Sequence, residues 1–210
     1  MQRLFDILLS GAAIIILTPL LLPIIFVLSV TGEGEIFFRQ ARVGKNRISF
    51  GLLKFATMLK NSENIGAGTV TLKNDFRVLP FGKFLRKTKL NELPQLFNIF
   101  MGHMSVIGPR PLHQKQFSFY SEEDQNIISS VMPGLSGVGS IIFRDEEKVL
   151  QESNDPDTTY KKLITPKKAE LEKWYVYHKS ITLYFKLIIL TIIAVVIPTI
   201  DMNRFFKGLQ

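Results

Sequence analysis

The apolar positions of this chain change period twice, and each change marks a different kind of element. From Ile7 to Gly32 no residue is charged, and Ile14 to Leu28 is almost wholly hydrocarbon. Roughly 20 apolar residues are enough to enter a bilayer. Pro19 and Pro23 interrupt this run four residues apart. Each removes an N–H from the helix ladder and crowds the turn before it, so a break is expected there. In hydrocarbon the freed carbonyls need partners, from Ser10, from Thr18 or from a bend that returns the chain to the face it entered. The pattern favours a re-entrant membrane helix over residues 1–33 rather than a plain span. A secretory signal is disfavoured: the charged start is only Arg3 followed by Asp6, and no small-x-small cleavage site follows the apolar run.

From Glu35 to Met58 the period shortens. Ile36 to Phe38 and Ile48 to Leu53 flank Gly44-Lys45-Asn46, which predicts a β-hairpin with Lys54 at the far end of its second strand. Lys60 to Asn74 is polar, with Gly66 and Gly68, and reads as a mobile loop. Leu90, Leu93, Leu96, Phe97 and Phe100 then recur at helical spacing, so Asn91 and Glu92 are expected to begin a helix. Pro94 is acceptable in that first turn. Phe117 to Met132 reads as a second helix, and Pro133 to Ser140 as a glycine-rich turn that matches no nucleotide-binding fingerprint. Lys148 to Lys173 is charged and helix-compatible, with a break at Asn154-Asp155-Pro156-Asp157. Trp174 to Tyr177 has the character of an interfacial aromatic belt. Leu187 to Ile200 is too short to span comfortably and reads as lying in the membrane interface.

The expected fold is therefore α/β, mostly helical. A central domain over 34–179 sits between the N-terminal membrane segment (1–33) and a C-terminal interfacial amphipathic helix (180–210). A chain of 210 residues suits one such domain with attachments.

Charge narrows the choice of partner. Lys and Arg number 26 against 18 Asp and Glu, a net +8, which suits phosphate ligands, nucleic acid or an anionic membrane. Nucleic-acid binding leaves the two apolar ends unexplained and is not expected. Arg39, Arg42, Lys45 and Arg47 follow the first apolar block, placing the central domain on the cytoplasmic side. Taken alone, these four read as a solvated or headgroup-facing surface. Cysteine is absent, which excludes disulfides, thiolate metal sites and a Cys nucleophile.

The candidate chemistry lies between Arg86 and Pro111. Arg86 and Lys87 precede the carboxylate of Glu92, and Arg110 is bracketed by Pro109 and Pro111. Arginine forks match phosphate oxygens and Lys supplies a point charge, so Lys54, Arg86 and Arg110 suit a diphosphate. A carboxylate among them can bind Mg²⁺, attack phosphorus or move a proton. It also simply complements a helix dipole.

Taken together, these residues resemble the bacterial sugar transferases, the monotopic polyprenyl-phosphate phosphoglycosyl transferases. The resemblance rests on the Pro-broken N-terminal segment, Phe38-Arg39-Gln40, Arg42-Val43-Gly44, Lys54-Phe55 and Phe84-Leu85-Arg86-Lys87-Thr88. It extends through Glu92-Leu93-Pro94-Gln95-Leu96, Met104-Ser105, Gly108-Pro109-Arg110-Pro111 and Pro133-Gly134. It implies transfer of a sugar 1-phosphate from a nucleotide-sugar, usually a UDP-sugar, to undecaprenyl phosphate, with release of UMP. The implied setting is the cytoplasmic face of the bacterial inner membrane, at the first step of surface-glycan assembly, with downstream glycosyltransferases as possible partners. In that family an Asp-Glu pair works with Mg²⁺, the Asp attacking the β-phosphorus. The resemblance also associates Arg144 with the donor.

Here the pair is Asn91-Glu92. Three readings follow: Glu92 acts as nucleophile or metal ligand, the phosphate is displaced directly, or the chain binds nucleotide-sugar or polyprenyl phosphate without turnover. His103 stands where an acid usually precedes Met-Ser, and Ala56 where Arg commonly follows Lys-Phe.

Overall fold

In the computed structural model the residues described are 1–65, 75–144, 146, 150, 155–197 and 199–206. The molecule is mostly helical with two small sheets. Helix α1 spans Gln2–Val30, and strands β1 (Phe37–Val43) and β2 (Ser49–Phe55) form the antiparallel hairpin. Helix α2 (Pro80–Lys87) leads through a 3₁₀ turn, Leu90–Glu92, into α3 (Gln95–Met101). Strand β3 (Ser105–Ile107) is followed by α4 (Gln114–Phe117) and α5 (Glu122–Ser129). Strand β4 (Gly134–Ser136) and α6 (Val138–Ile142) come next. A short helix, Pro156–Thr159, and a π turn, Tyr160–Ile164, run into α7 (Thr165–His178), and α8 covers Ile181–Val196.

Helix α1 departs from expectation, because it continues through Pro19 and Pro23 without a break. The side chains of Ser10 and Thr18 accommodate other carbonyls than those the prolines free, Ser10 donating to Asp6 O and Thr18 to Ile14 O. Packing keeps the helix whole instead. Leu21, Ile24 and Leu28 are buried with Phe55 and Leu85, beyond the first proline and on both sides of the second. The N-terminal end is also held down: Arg3 donates to Ile99 O and Phe100 O, and Gln2 donates to Ser105 Oγ and Ile107 O. At about 1.5 Å per residue a helix of this length reaches about 43 Å, yet both of its ends pack on the same domain. Its other side exposes Leu8, Ile15, Ile16, Leu22 and Phe26.

The hairpin forms as expected, with strands longer than the apolar runs that announced it. Asn46 and Arg47 take left-handed backbone conformations at its tip. Other elements are corrected. The helix expected over Phe117 to Met132 is shorter, Glu122–Ser129, with Phe117 ending the separate α4, because Ser121 caps a new start by accepting from the Asp124 N–H. Glu92 sits in a separate 3₁₀ turn rather than in the first turn of α3, since Lys89 reverses the chain at φ 60° and Pro94 opens the helix proper. The parallel pair β3–β4, with Ser105 opposite Gly134 and Ile107 opposite Ser136, has no forerunner in the apolar pattern.

The aromatic belt is only half a belt. Tyr175 turns inward and donates to Ile107 O at 3.1 Å, while Tyr177 is exposed. Helix α8 buries Tyr184, Leu187 and Leu190 in the main core and exposes Ile189, Ile192, Val195 and Val196. The expected loop over Lys60 to Asn74 falls partly outside the described residues, at 66–74. Its base is closed by the buried Arg77, which binds Asp75 through both carboxylate oxygens and donates to Ser62 O and Ile65 O. In the expected break at Asn154 to Asp157, residue 154 is outside the described residues, and Pro156 starts a short helix.

Candidate functional site

Residues directly opposite in an antiparallel pair share a face. Phe38 lies opposite Lys54, Gln40 opposite Leu52, and Arg42 opposite Phe50, so Lys54 and Arg42 face the same side of the hairpin. That side turns toward the 3₁₀ turn and α3. Asn98, almost fully buried on α3, extends the ladder sideways: its amide donates to Gly51 O and its carbonyl accepts from Leu53 N–H, both at 2.8 Å. The hairpin and the helix that follows Glu92 are thus joined one residue away from Lys54.

Glu92 is aimed by its neighbours. Leu90 and Leu93 pack into the cluster around Phe55 and Leu85, which leaves Glu92 directed toward the hairpin cleft. Asn91 is buried, and its Oδ1 has no hydrogen-bond partner among the described residues.

Arg110 is delivered by a turn pressed against the β3–β4 pair. Gly108 N–H donates to Ser136 O, and Gly134 N–H donates to Pro109 O. The approach needs glycine, since a Cβ on Gly134 would stand 2.1 Å from Gly108 N and one on Gly137 2.2 Å from Gly108 O. The flanking prolines restrict the turn further.

The resulting cleft is lined by Arg42, Lys54, Glu92, Gln95 and Arg110, with Leu52, Pro111 and Leu135. Arg42 donates to Gln40 Oε1 at 2.7 Å and to Pro111 O at 3.4 Å, tying the hairpin to the Arg110 turn. Burial works to raise the Glu92 pKa, but Arg110, Lys54, Lys89 and Arg42 together outweigh it and hold the carboxyl below its usual range. Burial is also the main influence on Lys54; with Arg42, Arg110 and Arg86 it pushes the ammonium down to about 8, against the attraction of Glu92. One carboxylate ringed by cations is a site for a polyanion.

The structure thus brings together Lys54, Glu92 and Arg110 in the cleft, with Arg86 close enough to act on Lys54. Asn91 is adjacent in the same turn. Arg144 goes elsewhere: its guanidinium donates to Ala194 O at 3.3 Å and Ile200 O at 3.0 Å, clasping the end of α8. Arg42 is the correction to the solvated-face reading, for Arg39, Lys45 and Arg47 are exposed while Arg42 is half-buried in the cleft. Strand alternation from Gln40 was the signal that could have found it. Gln95 and Lys89 were also missed, one because an amide at a helix start looks like helix chemistry, the other because its left-handed conformation is invisible in the sequence. Pro19 and Pro23 lie on α1, outside the cleft.

A family model described as bacterial sugar transferase matches residues 1–198. The UDP-glucose:undecaprenyl-phosphate glucose-1-phosphate transferase of Klebsiella pneumoniae is 34% identical over 197 residues, 91% of this chain and 39% of that protein. The exopolysaccharide production protein ExoY of Rhizobium meliloti is 35% identical over 159 residues, 69% of this chain and 70% of that one. The undecaprenyl-phosphate galactose phosphotransferase of Salmonella typhimurium is 32% identical over 160 residues, 70% of this chain and 33% of its own length. The chain therefore spans well under half of the Klebsiella and Salmonella relatives and about two thirds of ExoY. With the family model matching nearly end to end, and with the phosphate-suited cleft built from the residues that carry the likeness, the chain belongs to the bacterial sugar transferase family.

Proposed function

We propose that this chain transfers a sugar 1-phosphate from a UDP-sugar to undecaprenyl phosphate, releasing UMP and leaving a polyprenyl-diphosphate sugar. The observation that carries the reading is the convergence of Arg42, Lys54 and Arg110 on Glu92 in one cleft. The relatives' names supply the substrate class.

Donor diphosphate and lipid phosphate repel each other, so the site must offset charge before it can bring them together. Arg42 and Arg110 offer forks to the phosphate oxygens and Lys54 a point charge. Glu92, kept ionised by the same cations, attacks the β-phosphorus. The bond from that phosphorus to the bridging oxygen breaks, UMP leaves with the electron pair, and the phosphosugar rests on Glu92 as an acyl phosphate. An oxygen of the lipid phosphate then attacks the same phosphorus and returns Glu92 as a carboxylate.

This reading includes Mg²⁺, and the donor chemistry of the Asn91-Glu92 turn supports it. Asn91 Oδ1 is a buried oxygen without a partner among the described residues, beside a carboxylate. Magnesium is commonly held by one or two carboxylates, waters and substrate phosphates rather than by a full protein cage. Among the described residues no three His, Asp or Glu group together, so the phosphates would complete the set. Asn91 and Glu92 would hold the ion, whose contribution is to neutralise charge on the diphosphate.

The reading places the enzyme on the cytoplasmic face of the bacterial inner membrane, seated monotopically. It is supported by the exposed apolar sides of α1 and α8 and by the packing of both ends of α1 on one domain. Lipid phosphate is confined to that interface, and downstream glycosyltransferases would consume the product in surface-glycan assembly. A second reading, binding without turnover, is favoured by one feature: an amide at position 91 in place of a carboxylate. UMP release from a panel of UDP-sugars, with undecaprenyl phosphate present, decides between them. Release supports transfer; no release from any donor, with release gained by Asn91→Asp, supports binding alone.

A further inference from the structure

A second group of buried charges stands behind the Arg110 turn, and the proposed chemistry does not use it. On α7, Lys168 and Glu172 are one turn apart and both almost fully buried. Lys168 Nζ pairs with Glu146 Oε2 at 2.7 Å and lies 5.7 Å from the centre of the Tyr160 ring. Glu172 makes a different contact, its Oε1 accepting from the backbone N–H of Arg110 at 3.5 Å. Its Oε2 is buried with no hydrogen-bond partner among the described residues. Gly139 of α6 leaves room for it, since a Cβ there would stand 2.3 Å from Glu172 Oε1. Backbone from β4 therefore holds the turn at Gly108 and Pro109, and this carboxylate holds it at Arg110.

A buried acid without full pairing is unfavourable for the fold alone. Burial, the largest influence, pushes Glu172 up to about 7 against the attraction of Lys168 and Arg110. Arg110 itself is exposed and lines both the Glu92 cleft and the small cavity that Glu172 closes. An exposed guanidinium on a turn needs its backbone fixed if it is to meet a phosphate in one geometry.

We propose that Glu172 is a positioning residue for Arg110, holding the Gly108–Pro111 turn from behind so that the guanidinium is presented to a diphosphate in the Glu92 cleft. The inference rests on the reading of that cleft as a diphosphate site. It acts through the backbone of Arg110, and Glu172 itself touches no substrate.

The test is a double-mutant cycle on the full chain in lipid nanodiscs, reading the affinity for inorganic pyrophosphate by calorimetry. Glu172→Ala is expected to weaken binding roughly tenfold, the range for a charge-assisted contact set out of place. In an Arg110→Ala background the same change is expected to alter affinity by less than about twofold, because residues acting as one unit are not additive. Glu172→Gln, which keeps an acceptor for the Arg110 N–H, is expected to restore affinity to within about twofold of the parent. If Glu172→Ala does not fold, Glu172→Asp repeats the cycle, since the shorter side chain withdraws the oxygen from the turn. Equal losses with and without Arg110, no loss at all, or no rescue by Gln overturns the positioning role while leaving the cleft intact. A parent chain that binds no pyrophosphate overturns the diphosphate reading and this inference with it.

Discussion

The phenol of Tyr184 donates a 2.8 Å hydrogen bond to Oδ1 of Asp6, joining positions 178 residues apart. The same Asp6 oxygen accepts from Ser105 Oγ and from Val106 N–H, each at 2.9 Å. One buried carboxylate on α1 therefore ties the N-terminal helix, β3 and α8 together, and β3 leads directly into the Arg110 turn. Asp6→Ala strands three donors and should cost about 3 kcal/mol or more. Tyr184→Phe removes one bond and should cost about 1 kcal/mol. Denaturant titration in detergent, followed by near-UV circular dichroism, is the measurement; equal costs for the two variants would show that Asp6 is not the shared node.

Glu92→Gln keeps the size of the side chain and removes the attacking carboxylate. UMP release should fall by at least about a hundredfold. Pyrophosphate affinity should hold or rise, because a negative charge leaves a site that binds anions. Full turnover in this variant would remove Glu92 from the chemistry.

Lys54 makes phosphate binding depend on pH. With its pKa pushed down to about 8, the ammonium is present below that pH and lost above it. Pyrophosphate affinity should therefore fall as pH rises through about 8, by at most about tenfold per unit. For the free protein the sign reverses. The unfolded chain keeps the Lys54 proton to higher pH, so this group adds stability as pH climbs above about 8. Calorimetry from about pH 7 to about pH 9.5 checks the first statement, with Lys54→Met expected to remove the slope.

Asn98 tests whether the hairpin must be joined to α3. Asn98→Ala leaves Leu53 N–H and Gly51 O without their side-chain partner, at a cost of about 2 kcal/mol. It should also lower UMP release, because Lys54 follows Leu53 on the strand. Asn98→Asp keeps the acceptor for Leu53 and should fall between the two. Thermal unfolding and UMP release measured on the same preparations separate the effects.

Much of this was legible in advance wherever the signal is local. The apolar runs Ile36 to Phe38 and Ile48 to Leu53 on either side of Gly44-Lys45-Asn46 are a property of adjacent residues, and the hairpin follows them. The spacing of Leu93, Leu96 and Phe100 announced α3, although Lys89 and Pro94 moved its start past Glu92. Lys54 at a strand end, Glu92 among cations and Arg110 between two prolines stand out in the sequence, and the cleft gathers them.

The rest depended on partners far away in the chain. Strands of three residues carry no readable period, so β3–β4 exists only because Gly108 and Gly134 allow their backbones to touch. Arg42 and Arg144 are indistinguishable as isolated cations. Pro111 and Gln40 draw one into the cleft, while Ala194 and Ile200 hold the other at the end of α8. Pro19 and Pro23 predict a break by local geometry, and packing against Phe55 and Leu85 keeps the helix continuous. By itself, then, the sequence determined the apolar ends, the hairpin and the chemical types at the centre, because periodicity and residue chemistry are properties of neighbours. The tertiary structure alone decided which charges share the cleft, and that Glu172 stands behind Arg110, because burial and distance are set by segments that meet only when the chain folds.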